Sequence, residues 1–479
     1  MTRWQPTLLE APRAAALLAL AEHRLAQGRY AQAAPLYQEL HATKPGDGAI
    51  LLHWGFCLEQ LSELDAAVAR YREALGMDPD FFEAHVDLAG VLWRVQEPAG
   101  ALVHAQRAVA LKPWDAHAVR MLGTALLHLN RCEEAETHLR RALDLRPGFG
   151  PARLDLALVL LLTGRLQEAW PLYAHRWEDS PGLVRPAFFQ VALQWQGPQT
   201  QPLAGRRVLV FAEQGFGDVI QFIRYVALLQ ADGATVFAAV PPMLVTLLEG
   251  MPGLTCVKQD LCDSPDLTVA VDSQVALLDL PMHYQTSLPC IPAHVPYLVA
   301  PQPRLAHWHA RLSPWQGQLR IGLAWAGQAT QVNDRNRSMA LSDFLPLIQV
   351  PQVQCFSLQK ASGGAYTDIA PQRLLDFTAE WHDFADSAAQ ITNLDLVITV
   401  CSAVAHLAGA LGKPVWVLLP PNADWRWLQG RGDSPWYPTM RLFRRDFGES
   451  RAQQVQRVLV ALNELTAQPS PLLPPALTQ

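Results

Sequence analysis

The chain has 479 residues, half of them apolar and 17% charged, with a formal net charge of −6. That length predicts about two to four domains. The charge gives no overall attraction to nucleic acid or to an anionic membrane, so neither is expected as a partner, and any phosphate contact must come from a local site. No apolar run approaches the roughly 18 to 20 uncharged residues of a membrane span, so no integral membrane segment is expected.

Met1 onward, MTRWQPTLLEAPRAAALLALAEHRL reads as an amphipathic helix rather than a signal peptide, because Glu10, Arg13, Glu22 and His23 interrupt the apolar stretch. The seven cysteines (57, 132, 256, 262, 290, 355 and 401) are odd in number, scattered and without a CxxC. This argues against a disulfide framework or a zinc site and suggests a reducing, cytoplasmic location.

Alanines at 33, 67, 101, 135 and 169 and prolines at 45, 79, 113 and 147 both keep a 34-residue spacing. A small residue where two helices cross, with a proline ending the second helix, is the tetratricopeptide signature. Residues 8–178 are therefore expected to form an α-solenoid of four clear repeats and a fifth, with residues 8–26 supplying a first helix. Stacked helix pairs of this kind present a groove suited to a protein or peptide partner. A merely stabilising or dimerising array is the alternative.

Residues 179–205 carry enough Pro, Gly and Gln to be a connector, yet Phe188, Phe189, Leu193 and Trp195 predict that it packs. From Arg207 the pattern changes to an alternation of strands and helices, the mark of an open α/β sheet. Strands are expected at 208–212, 235–240, 254–257 and 267–271, with helices at 219–230 and 243–250, giving a domain over residues 206–302. After a join near 301–318, a second domain over 317–465 is expected. Its strands fall at 321–326, 353–358, 396–400 and 415–419, and its helices start at Leu341, Phe384, Ala403 and Arg451. Residues 466–479 read as a disordered tail.

Candidate chemistry collects at strand ends. In the segment 394–420 a buried strand meets a helix through one polar corner, with Ser402 at the N-cap and Gly412 closing the helix. The first amides of such a helix form an anion site without a charged side chain, although every βαβ unit has a similar corner. In EQGFGD, Gly215 and Gly217 let backbone amides approach a ligand, while Asp218 is either a helix-start residue or a reacting carboxylate. The loop 326–338 offers Arg335 and Arg337, whose planar forks suit a diphosphate, and Lys360 is a second cation. His406 reads either as a core histidine or as part of the corner. Trp425, Trp427, Trp436 and Tyr437 crowd one loop, where they either stack on a base or sugar or pack internally.

Taken together, AEQGFGDVIQFIRYV, GLAWAGQATQVNDRNRSMAL, SLQK, and VITVCSAVAHLAGALGKPVWVLLPPNADWRWL with DSPWYPTMRLFR resemble bacterial tetratricopeptide-repeat proteins carrying a heptosyltransferase-like domain of glycosyltransferase family 9. The likeness spans residues 20–465. It implies the GT-B fold, two Rossmann-like domains with the nucleotide sugar held mainly by the C-terminal one. It also implies inverting transfer, metal-independent and without a cofactor. The expected acceptor is a protein, such as a surface or flagellar component, which peptide capture by the repeat groove favours, or a glycolipid.

By that resemblance Asp218 matches the general base, Arg337 a cation that steadies the leaving diphosphate, and Ser402 and Ala403 the helix N-terminus that receives it. Lys360, Cys401, His406, Gly215 and Gly217 complete the expected donor-side set. One departure stands out: relatives usually show an aspartate where this chain has Cys401, and a cysteine cannot replace its hydrogen bonds. A non-catalytic repeat scaffold with a degenerate transferase half is therefore the alternative function. Repeats joined to a GT-B module are also similar in architecture to O-linked N-acetylglucosamine transferases.

Overall fold

The structure, a computed structural model, describes residues 10–180, 183–259, 270–329, 331–360 and 373–467. The chain divides into two compact units, residues 1–159 and 160–479.

The first unit is built from antiparallel helix pairs: Glu10–Ala26 with Tyr30–Thr43, Gly48–Gln60 with Leu64–Met77, Phe82–Leu92 with Pro98–Leu111, and Ala116–His128 with Cys132–Leu145. The helix at residues 10–26 thus completes the first repeat. Ala33, Ala67, Ala101 and Ala135 are fully buried, because each sits where the two helices of a pair cross too closely for a larger side chain. Across the same crossings a Cβ on Gly55 would lie 2.6 Å from the Tyr71 ring, and one on Gly123 would lie 2.7 Å from Leu139. Tyr37 and Tyr71 are fully buried; burial of a side chain this size contributes roughly 1.5–3 kcal/mol.

The prolines act one step after the helix ends. Lys44, Asp78, Lys112 and Arg146, each preceding a proline, leave helical geometry with φ between −140° and −132°. The proline ring disfavours the α region in the residue before it, so each second helix stops at the same place. Asp47 and Asp115 cap the helices that follow two of these turns, accepting from Ala49 N and Ala118 N.

The division at Val159 falls inside the Gly150–Leu162 helix, so its last residues and the Leu166–Tyr173 helix belong to the second unit. Trp170 donates from Nε1 to the Thr286 carbonyl at 2.9 Å, and both Trp170 and Tyr173 pack edge-on against Trp425. Arg176 is 1% exposed and forms ion pairs with Glu213 at 2.6 Å and Asp279 at 2.7 Å. The connector packs as its apolar residues predict: Trp195 is fully buried, and Phe188 and Phe189 lie against Phe211.

Two parallel sheets follow. The first contains β1 (Arg207–Phe211), β2 (Thr235–Val240), β3 (Leu254–Lys258) and β4 (Ser273–Ala276) in the order β3-β2-β1-β4. The second contains β5 (Leu319–Ala324), β6 (Val353–Ser357), β7 (Leu374–Leu375), β8 (Leu396–Val400), β9 (Val415–Leu419) and β10 (Met440–Arg444) in the order β10-β9-β8-β5-β6-β7. Every residue of β6 and β8 is buried, and β8 accordingly reads as a largely apolar run, whereas β6 also buries Gln354 and Ser357. In each sheet the direction of winding reverses beside the first strand, at β1/β4 and at β5/β8. Such reversal points open a crevice at the carboxyl ends of the strands.

Several expected elements differ. The helix after β1 begins at Phe216, not Val219, and ends at Phe222, where a 3₁₀ turn leads into the Val226–Ala231 helix. The join near 301–318 is itself largely helical, Gln302–Leu312, because Pro301 and Pro303 start a helix as readily as they break one, and Trp308 anchors it to Asp386. β4 lies beyond the expected 267–271, a stretch mostly outside the described residues, and β7 and β10 are additional strands. The closing helix runs Arg451–Ala467, so the first residues assigned to the tail are helical, and residues 468–479 lie outside the described residues. Among the described residues no helix is long and apolar enough to cross a membrane.

Candidate functional site

At the end of β1 the chain turns directly into the Phe216–Phe222 helix. Asp218 Oδ2 accepts from the Gly215 N–H at 2.9 Å, so the carboxylate does hold the helix start. Its other oxygen lies 2.6 Å from Arg426 Nη2 in an ion pair. Burial pushes the Asp218 carboxyl above the usual range, and the Arg426 charge offsets this only in part. Both glycines line the cavity, and their surroundings differ. The Gly215 N–H is taken by Asp218, and a Cβ on Gly217 would sit 2.9 Å from the His406 ring. Gly217 therefore lets two helix starts pack together.

The corner after β8 faces this one. Ser402 has the extended backbone of an N-cap, but its Oγ lies 3.3 Å from Thr399 Oγ1 and does not cap the helix. The Ala403 and Val404 N–H groups consequently have no acceptor among the described residues. At the far end Gly412 takes φ +69°, the left-handed conformation that closes the helix, with Lys413 N donating to the Ala408 carbonyl. His406 Nδ1 is 3.0 Å from the Tyr437 hydroxyl and its ring stacks on Trp427. Burial, helped by the Arg426 charge, lowers its pKa to about 3, so the imidazole is neutral at physiological pH. Cys401 Sγ accepts from Trp427 Nε1 at 3.1 Å, and burial raises its thiol pKa, keeping it protonated.

Two cations approach from β5 and β6. Arg337 donates to the Cys401 carbonyl at 3.1 Å and pairs with Asp334 at 3.1 Å. Its guanidinium lies against Gly327, where a Cβ would collide with it. Lys360, just past β6, donates to the Trp381 carbonyl at 3.0 Å. Arg335 points its backbone carbonyl to Arg451 and belongs to the outer face of the same turn.

Gly215, Gly217, Asp218, Arg337, Lys360, Cys401, Ser402, Ala403 and His406 all line one cavity of about 580 Å³. Two further residues of that cavity, Asp424 and Arg426, escape a reading of the sequence. Arg426 pairs with Asp218 and with Asp424, the latter at 3.0 Å. Asp424 is held below the usual range because Arg426 and the Arg426 N–H outweigh the effect of burial. The available signal is a loop aspartate two residues before an arginine, hidden among aromatics. Those aromatics settle as packing: Trp425, Trp427, Trp436 and Tyr437 are 0–5% exposed, so none presents a face for stacking on a ligand. Arg176 with Glu213 and Asp279 also escapes the sequence; it ties the β1 loop to the segment before the sheet.

A tetratricopeptide-repeat family profile matches residues 2–48, 58–116 and 120–181. The chain is similar to Protein FlbA of Caulobacter vibrioides, with 26% identity over 470 residues, covering 91% of this chain and 76% of that protein. Among solved structures, it matches MamA (residues 41 to the end) from Desulfovibrio magneticus RS-1 at 22% identity and TM-score 0.31, over 34% of this chain and 93% of that one. A thermophilic tetratricopeptide-repeat protein of Thermus thermophilus matches at 23% identity and TM-score 0.32, over 35% of this chain and 92% of that one. The N-terminal region is thus a tetratricopeptide-repeat array, followed by an α/β region of parallel sheets.

Proposed function

We propose that the α/β region is a glycosyltransferase of the GT-B kind, moving a sugar from a nucleotide-sugar donor to a protein or glycolipid acceptor that the repeats help to select. The observation that carries this reading is the convergence, on one cavity at the carboxyl ends of two parallel sheets, of a buried carboxylate, two cations and an open helix N-terminus. The strand orders, reversing beside the first strand of each sheet, suit two Rossmann-like domains. The likeness to Protein FlbA extends well beyond the repeats, which supports treating the two regions as parts of one working protein.

On this reading Arg337, Lys360 and the Ala403 and Val404 N–H groups take the donor diphosphate, neutralising the charge that grows as the sugar leaves. The acceptor hydroxyl oxygen attacks the anomeric carbon, the bond to the diphosphate breaks with its electron pair, and the hydroxyl proton passes to Asp218. Burial makes Asp218 a stronger base than a surface carboxylate, and Arg426 fixes its direction. His406, being neutral, offers a hydrogen bond rather than a charge. With the Cys401 thiol taken by Trp427, Asp424 is the carboxylate on that side of the cavity.

One observation favours the second reading, a scaffold without turnover: both Asp218 oxygens are occupied, by Arg426 and by the Gly215 N–H. Asp218→Ala separates the two. A transferase loses product formation while donor binding, read by calorimetry, stays within about twofold. A scaffold forms no product before or after the change.

A further inference from the structure

The first helices of successive repeats share one face, and a second cavity, of about 350 Å³, opens on it. Among the described residues its walls come from the Glu10–Ala26, Gly48–Gln60, Phe82–Leu92 and Ala116–His128 helices, including the apolar Leu25, Leu52, Phe56 and Val86. Gly90 stands where Phe56 stands one repeat earlier, and among the described residues the group near its missing Cβ is the Met121 sulfur at 3.6 Å. Space is therefore left where the preceding repeat carries the Phe56 ring.

Asp87, one repeat on from His53, lines this cavity, with Glu83, His53 and His117 beside the apolar residues. Asp87 has no hydrogen-bond or ion-pair partner among the described residues. The surrounding charges do not balance it. Arg94 is committed to Glu59 at 3.1 Å, Glu59 also accepts from Tyr71, and Lys112 is committed to Glu83 at 3.1 Å while lying over the Phe82 ring. His53 and His117, which share the cavity, are lowered by burial and supply no charge. Burial and the negative charges of Glu59 and Glu83 push the Asp87 carboxyl up to about 7. A carboxylate left unpaired among apolar side chains is costly, and a cation placed beside it removes that cost.

We propose that this cavity receives a lysine or arginine side chain from a segment of a partner protein. The aliphatic stem lies along Leu52, Phe56 and Val86, and the charged end pairs with Asp87. Lysine and arginine suit such a site because their stems cover apolar surface while the head keeps its ion pair. This gives a chemistry to the acceptor-selecting role proposed for the repeats, and rests on that reading only for the use made of the captured segment.

The test titrates the full chain into fluorescein-labelled short peptide pools, acetylated and amidated, whose central residue is lysine, arginine, norleucine or glutamate and whose flanks are degenerate. Fluorescence anisotropy is expected to show the lysine or arginine pool binding at least about tenfold tighter than norleucine, which has a similar stem and no charge. Asp87→Asn, near-isosteric and neutral, should abolish that preference with the circular-dichroism melt intact. Discrimination among pools on the unmodified protein needs no variant to fold. Equal binding of all pools, preference for glutamate, no binding, or a preference that survives Asp87→Asn would overturn the proposal. A failure of nucleotide binding at the other cavity would leave these results standing, so the two readings fail separately.

Discussion

Asp87 and Asp218 are both carboxylates lifted above their usual range by burial, yet their surroundings differ. Asp218 has Arg426 against it, and Asp87 has only carboxylates among the neighbouring charges that act on it. The paired group is fixed in direction and kept within its cavity by contacts the chain supplies. The unpaired group is a deficit that the chain leaves open. Burial alone does not mark a role; the partner, or its absence, does.

The largest effect should come from removing Asp218. Under the transferase reading Asp218→Ala lowers kcat by about 10²–10⁴-fold, measured as sugar transferred per enzyme at saturating donor. Next, Arg426→Gln removes the partner and leaves Asp218 and Asp424 buried without it. This should cost about 3–5 kcal/mol in a denaturant titration. In whatever activity remains, the acidic limb of the pH profile should move to higher pH, because loss of a positive charge raises the Asp218 pKa further.

Asp87 supplies the opposite case. Its folded-state pKa is raised, to about 7, over an unfolded value of 3.8, so folding favours the protonated form. The stability it contributes is fully present below the unfolded value and is lost as pH rises through about 7. Asp87→Asn should therefore match the unmodified protein near the unfolded value. It should become more stable by on the order of 1–2 kcal/mol at pH 8, a figure reduced for the partial exposure of the site. Equal stability across that range would break the contrast between the two carboxylates. The smallest effect is steric. Gly217→Ala places a Cβ against the His406 ring and should cost about 1–2 kcal/mol, while Gly90→Ala, which meets only the Met121 sulfur at 3.6 Å, should be near neutral.

What can be read from the sequence follows the same division. The repeats repeat locally: Ala33 to Ala67 to Ala101 is a ladder any single repeat predicts from its neighbour, and the helix ends before Pro45, Pro79, Pro113 and Pro147 obey a rule about adjacent residues. β8 and β9 are equally legible, since strands covered on both faces are written as continuous apolar runs. Asp218, Lys360 and Ser402, which line the 580 Å³ cavity, can be collected because each lies in the loop or helix start after a strand. Their partners cannot. Asp218 meets Arg426, and Arg176 meets Asp279 across 103 residues, through pairings that no local pattern encodes. The need for a bare Gly217 is hidden for a related reason: the group that requires it is His406, on a helix of the other sheet.

Whether the α/β cavity is a donor site is decided by calorimetric titration with UDP, GDP, ADP, CMP, dTDP and their sugar conjugates. The protein is predicted to bind one nucleotide class saturably, and Arg337→Ala, which removes the guanidinium beside Cys401, to weaken that binding by at least about tenfold. Folded protein that binds none of them, or binding that Arg337→Ala leaves unchanged, would contradict it.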